Sequence, residues 1–166
     1  MSQRIVSIYI DPPTAVYLSY CYNMDVRKVR HRRPLAELIG PAMLDDYRLA
    51  FREPPGQFAQ ATIEKAAGRS IPCILWRIPR SYEAELARIY SGIYHRIELE
   101  VEFKRKAIQC FTYAVSESYP LGLPHRDYLE ELIMRYTALK FSLEPILQAC
   151  KDSAEALEEA HNSGAR

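Results

Sequence analysis

His95-Arg96-Ile97-Glu98-Leu99-Glu100-Val101-Glu102-Phe103-Lys104 alternates apolar and charged residues without a break. A period of two puts Ile97, Leu99, Val101 and Phe103 on one face of a strand and leaves the opposite face in water. Lys104-Arg105-Lys106 then turns the chain into Ile108–Val115, a second apolar run, so the two predict a β-hairpin. Glu98, Glu100 and Glu102 share the wet face, where they read as solvated charges rather than a metal or acid/base cluster.

The segments upstream carry further strand signals. Ala15–Tyr20 is a short β-branched and aromatic run, cut by a polar turn at Asn23-Met24-Asp25. Tyr47, Leu49 and Phe51 alternate within Ala42–Phe51, which ends at Glu53-Pro54-Pro55-Gly56. Phe58–Glu64 and Ser70–Ile78 predict two separate strands joined by a hairpin-like connection at Lys65–Arg69, whose Gly68 suits a turn. Ser81 stands as N-cap before a short helix over Tyr82–Tyr90. Beyond the hairpin the period changes. Leu129, Leu132, Ile133, Tyr136 and Leu139 recur at helical spacing, and Leu143, Ile146, Leu147 and Cys150 continue it after a break near Ser142–Pro145. Asp152–Arg166 reads as a polar tail, frayed from His161 onward.

The chain has 166 residues, which predicts a single domain spanning 1–166. Its 48% apolar content supports a buried core, and the net charge of +1 selects neither nucleic acid nor an anionic membrane. The basic run Arg27, Lys28, Arg30, His31, Arg32, Arg33 has no interleaved stacking aromatics and reads as a solvated loop. No window approaches a membrane span. The Ile5–Ile10 stretch is too short for a signal-peptide core, so a cytoplasmic location is expected. Cys21, Cys73, Cys110 and Cys150 are scattered, which indicates no metal site and no disulfide framework, and Cys73 and Cys110 read as small core residues. No cofactor is implied. The compositional oddity is 12 Tyr beside one Trp, with only 6 Gly.

In order along the chain, several short motifs resemble the gamma-glutamylcyclotransferase-like (AIG2-like) family. That family opens with a strand running into Tyr-Gly-Ser-Asn followed by Leu or Met; here the text is Tyr20-Cys21-Tyr22-Asn23-Met24, preceded by Tyr17-Leu18. The resemblance continues through Arg33-Pro34, Gly40-Pro41-Ala42, Tyr47-Arg48-Leu49, Gln60-Ala61-Thr62-Ile63 and the apolar Ile71–Ile78. Gly92-Ile93-Tyr94, Cys110–Tyr113, Gly122-Leu123-Pro124 and Tyr128 complete it, so that it covers roughly residues 15–150. The resemblance implies an α+β fold: a small closed mixed β-barrel with peripheral helices and a pocket at one mouth. It also implies a small-molecule substrate, with no nucleic-acid or membrane partner, and leaves a homodimer open. Family members let the α-amine of a gamma-glutamyl group attack its own side-chain carbonyl, releasing an amine and 5-oxoproline. A Gly in the Tyr-Gly-Ser-Asn loop lets backbone N–H groups approach the substrate, and a Glu in a Leu-Asp-x-x-Glu-Gly segment moves the proton.

Both features are altered here. Cys21 stands for the Gly and Tyr22 for the Ser. The expected Glu falls near Ala87 or Arg88, and Leu86-Ala87-Arg88-Ile89 holds no acid. Glu83 and Glu85 are close in sequence, but two residues on a helix turn a side chain by roughly 200°. The expectation is therefore a diverged enzyme acting in a biosynthetic tailoring step of cyclisation, isomerisation or elimination, using tyrosine as acid/base or oxyanion donor. Tyr20, Tyr22 and a displaced Glu85 are the candidate catalytic residues. Tyr17, Leu18, Ser19, Cys21, Asn23, Met24, Tyr94 and Tyr113 are the candidate substrate contacts. His95 and His125 are further candidate bases, for which a surface position is the simpler reading. Retained gamma-glutamyl amine cyclisation through Glu85, and a binding module without catalysis, are the alternatives.

Overall fold

A computed structural model describes residues 13–164; the Ile5–Ile10 stretch and the last two residues lie outside them. The elements are β1 (Thr14–Ser19), α1 (Val26–Arg32), β2 (Glu37–Arg52), β3 (Gln60–Pro79), α2 (Ser81–Ile89), β4 (Tyr94–Phe103), β5 (Lys106–Val115), α3 (Arg126–Ala138) and α4 (Glu144–Gly164). The five strands close into a barrel in the order β1-β3-β2-β4-β5. All neighbours run antiparallel except β1 and β5, which meet in parallel at Tyr17 and Phe111 and close the ring. This is the mixed barrel that the sequence motifs imply.

The opening hairpin forms as its alternation requires. Val101 pairs with Ile108 and Leu99 with Cys110, while Lys104 and Arg105 take positive φ of 50° and 64° in the two-residue turn. Glu98, Glu100 and Glu102 are exposed. Barrel closure buries Leu18, Leu49, Phe51, Ile71, Leu75 and Trp76 almost completely, and Cys73 and Cys110 lie in the same core.

Four local readings are corrected. Residues 60–79 are one strand, because both halves pair antiparallel with β2, Glu64 opposite Arg48 and Ser70 opposite Asp45. The four residues 66–69 therefore bulge out instead of reversing the chain. Asp46 is the single residue opposite them, at φ +61°, and its carboxylate accepts the Gly68 N–H at 3.0 Å. The basic run is the helix α1, not a loop: the Asp25 carboxylate caps it by accepting the Lys28 N–H at 3.1 Å, and Val29 anchors it in the core. The polar C-terminal stretch continues α4 through Gly164 instead of fraying from His161, with Ile146, Ala149 and Ser153 buried against the barrel. Within α2, the helix begins at Ser81 itself, with Arg80 in the cap position.

Glu64 ties the two long strands to α4. It is buried between Arg48 and Arg52, and Arg48 and Arg69 both reach Asp152 on α4, at 3.3 and 3.0 Å. Burial raises the Glu64 pKa, but the hydrogen bonds and charges of the two arginines outweigh it and hold the carboxyl below its ordinary range.

Candidate active site

β1 ends, β5 ends and β4 begins at the same mouth of the barrel, where α2 and α3 also meet it. A cavity of about 240 Å³ lies there. Tyr17 comes from β1, Tyr20 and Tyr22 from the loop after it, and Tyr94 and Tyr113 from the facing strands. Tyr90 enters from the end of α2 and Tyr128 from α3. Seven of the 12 tyrosines thus surround one space, with Cys21, Gln60, Ala61, Ile89 and Thr112 filling the gaps.

The loop after β1 is held rigidly. Asn23 adopts φ +59°, a left-handed conformation that Asn tolerates better than most residues. Its carbonyl accepts from the Trp76 indole N–H at 3.3 Å and from the Ser19 hydroxyl at 3.1 Å, and Arg135 of α3 donates to the Cys21 carbonyl at 3.3 Å. Cys21 and Tyr22 therefore sit on a braced turn. Tyr22 is 47% exposed at the rim, with the Arg135 guanidinium 5.5 Å from its ring centroid.

Hydroxyl partners differ around the cavity. Tyr20 donates to the Tyr113 carbonyl at 2.6 Å, so its proton is committed within the protein. Tyr128 accepts the Ala61 N–H at 3.1 Å and lies 3.2 Å from the Cys21 sulfur. Tyr17 and Tyr90 hydroxyls are 3.1 Å apart, and the Asn23 amide donates to Tyr17 at 3.4 Å. The Tyr90 ring stacks on Tyr113 at 4.7 Å and meets Tyr94 edge-on at 5.1 Å. Burial pushes the phenols of Tyr17, Tyr20, Tyr90, Tyr94 and Tyr128 above their ordinary range, and does the same to the Cys21 thiol. At neutral pH these groups are uncharged, so they offer hydrogen-bond donors and ring faces rather than a base or a thiolate nucleophile.

No family model matches the chain. The gamma-glutamylcyclotransferase of Bos taurus is 28% identical over 136 residues, covering 75% of this chain and 71% of its own. That of Mus musculus is 27% identical over 131 residues, covering 73% and 69%. A solved gamma-glutamyl cyclotransferase superposes with a TM-score of 0.68 at 25% identity, over 80% of this chain and 83% of that one. The chain is thus similar to gamma-glutamylcyclotransferases in sequence over about three quarters of its length, and it shares their fold. YkqA from Bacillus subtilis shares the fold, with a TM-score of 0.67 at 20% identity over 92% of this chain and 58% of its own.

Within this gamma-glutamylcyclotransferase-like barrel the expected site residues divide. Tyr17, Tyr20, Cys21, Tyr22, Tyr94 and Tyr113 line the cavity. Leu18 and Met24 point into the core, Ser19 supports the loop from behind, and Asn23 touches the cavity only through Tyr17. Glu85 is displaced from the mouth: it pairs with the buried Arg33 at 3.3 Å. Glu83 pairs with Arg80 and Arg96 at 3.2 and 2.8 Å, and neither acid lines the cavity. The helix phase explains this, since Leu86 takes the inward position and the two acids flank it. His95 is exposed on β4, and His125 caps α3 by accepting the Asp127 N–H at 3.3 Å.

Sequence reasoning missed Tyr90 and passed over Tyr128 as a site residue. Tyr90 was legible only as the last residue of a helix; Tyr128 was visible as a motif residue with no stated role. Gln60 and Ala61 begin β3 and reach the mouth because β3 spans the whole barrel.

Proposed function

We propose that this chain is a diverged small-molecule enzyme of the gamma-glutamylcyclotransferase type, in which neutral phenols at the barrel mouth take over from a carboxylate. One observation carries the reading: among the described residues, seven tyrosines and no acid line the cavity. A phenol that stays protonated at neutral pH is a poor base and a good donor to oxygen that gains negative charge. Such a site suits cyclisation, isomerisation or elimination of a molecule whose carbonyl becomes an oxyanion while the substrate supplies its own mobile proton. A biosynthetic tailoring step fits that chemistry. Loss of a positioned acid/base costs on the order of 10²–10⁴ in rate, so ordinary gamma-glutamyl cyclisation is expected to be slow here.

The relatives favour a second reading, because proteins named gamma-glutamylcyclotransferase match about three quarters of the chain. Incubation with a panel of gamma-glutamyl amides and chromatographic measurement of 5-oxoproline separates the two. Release at background is the expected result, and turnover within tenfold of an authentic gamma-glutamylcyclotransferase would overturn the first reading. Ligand binding with no turnover of any carbonyl substrate in the panel would favour a binding module.

A further inference from the structure

Asn23, Tyr17 and Tyr90 run in single file toward the cavity. Asn23 stands behind Tyr17, its carbonyl held by Trp76 and its amide 3.4 Å from the Tyr17 oxygen. The Tyr17 hydroxyl is 3.1 Å from that of Tyr90, and both phenols line the cavity. An amide N–H can only donate, so the Tyr17 oxygen is the acceptor in the first link. Tyr17 has one proton, and Tyr90 is its hydroxyl neighbour. Either hydroxyl of the pair can be the donor, and the direction from Tyr17 to Tyr90 is the one that leaves the Tyr90 proton for the cavity. Each hydroxyl in such a chain becomes a stronger donor by accepting from the one before.

Two of the other cavity hydroxyls are already engaged within the protein. Tyr20 gives its proton to the Tyr113 carbonyl, and Tyr128 is held between the Ala61 N–H and the Cys21 sulfur. Tyr90 is also clamped in place. Its ring stacks on Tyr113 with only 10° between planes, Tyr94 closes its edge, and its own N–H donates to the Leu86 carbonyl at 2.9 Å. An immobilised phenol with an oriented proton pays little reorganisation when charge grows beside it.

We propose that Tyr90 is the hydroxyl that meets the reacting oxygen, donating to the carbonyl of a planar, uncharged ligand, and that Tyr17 and Asn23 are positioning residues that aim its proton. Ring faces suit a planar ligand. Among the described residues no charged side chain lines the cavity, so a ligand that buries a full unpaired charge fits it poorly. No bond breaks in this step: the hydrogen bond strengthens as the oxygen gains negative charge. The inference rests on reading the cavity as a small-molecule site.

Acetophenone labelled with ¹³C at the carbonyl is a neutral planar probe small enough for this space, and styrene is its counterpart without an acceptor. Binding is read by backbone-amide NMR titration and hydrogen bonding by isotope-edited infrared spectroscopy of the bound carbonyl. The wild-type chain is expected to bind acetophenone saturably, with its carbonyl band at lower wavenumber than in cyclohexane. Tyr90→Phe should return the band toward the cyclohexane position and weaken binding by about tenfold, the scale of one hydrogen bond. Tyr17→Phe should keep affinity within about threefold yet return part of the shift, a signature that packing alone does not produce. A shift retained in Tyr90→Phe, or lost instead in Tyr94→Phe, overturns the assignment and leaves the cavity reading intact. Failure of both acetophenone and styrene to bind overturns the two together. Unchanged amide spectra away from the cavity establish that each variant is folded.

Discussion

The Cys21 sulfur and the Tyr128 hydroxyl lie 3.2 Å apart, linking the loop after β1 to α3 across the cavity wall. Burial raises the thiol pKa, and the hydrogen bond from Tyr128 only partly offsets it. Cys21 is therefore a thiol at neutral pH. Iodoacetamide should label it at pH 7.5 far more slowly than a free thiol, with a rate that climbs only at pH above the ordinary cysteine range of about 8.5. Peptide mapping of the labelled protein measures this, and labelling at the rate of a small-molecule thiol would refute it. Tyr128→Phe also strips the Ala61 N–H of its acceptor and should cost about 1–3 kcal/mol in urea unfolding.

The tyrosine cluster makes the fold sensitive to alkali. Burial raises the phenols of Tyr17, Tyr20, Tyr90, Tyr94, Tyr128 and Tyr136, so the native state keeps protons that the unfolded chain releases. Their contribution is fully present below the unfolded phenol value of about 10 and is lost as pH rises toward the folded values. Melting temperature should be level from pH 7 to about 9 and fall steeply above about 10. Tyrosinate absorbance should appear together with unfolding. Reversible ionisation of all the tyrosines near pH 10 in a folded protein would contradict the burial of the cluster.

Glu64 gives the opposite pH signature. Its carboxyl is held below the ordinary value by Arg52 and Arg48 despite burial, so its contribution is present above about 4.3 and is lost as pH falls through the lower folded value. Glu64→Gln leaves two partly buried guanidinium groups short of a counter-charge. Destabilisation of about 3 kcal/mol at pH 7 is expected, shrinking toward zero at the acid end of a pH series of chemical denaturations. A loss of the same size at every pH would assign the effect to packing.

Tyr136 is fully buried, and its hydroxyl has no hydrogen-bond partner among the described residues. Removing an unsatisfied hydroxyl while keeping the ring, which meets Phe141 edge-on at 5.8 Å, should leave stability unchanged or raise it by about 1 kcal/mol. Thermal and urea unfolding of Tyr136→Phe give the answer. A loss above about 1 kcal/mol would require a partner for that hydroxyl.

Local order in the chain already specified much of this protein. The alternation of His95–Lys104 determined a two-faced strand and its hairpin, because side chains of period two meet water and core whatever the rest of the fold does. The motif order from Tyr17 to Tyr128 pointed to the barrel, and residues 20–23 and 86–89 depart from the pattern that the resemblance implies. The tertiary structure alone decided how those pieces meet. Whether Lys65–Arg69 reverses the chain or bulges depends on β2, which pairs with both sides of it. Whether Glu83 and Glu85 reach the mouth depends on which face of α2 Leu86 buries and on where Arg33 and Arg96 stand. Tyr17 and Tyr90 are 73 residues apart, and Cys21 and Tyr128 are 107 apart. Only the closing of β1 onto β3 and β5, a non-local event that no sequence period encodes, brings their hydroxyls and thiol within bonding distance at one end of the barrel.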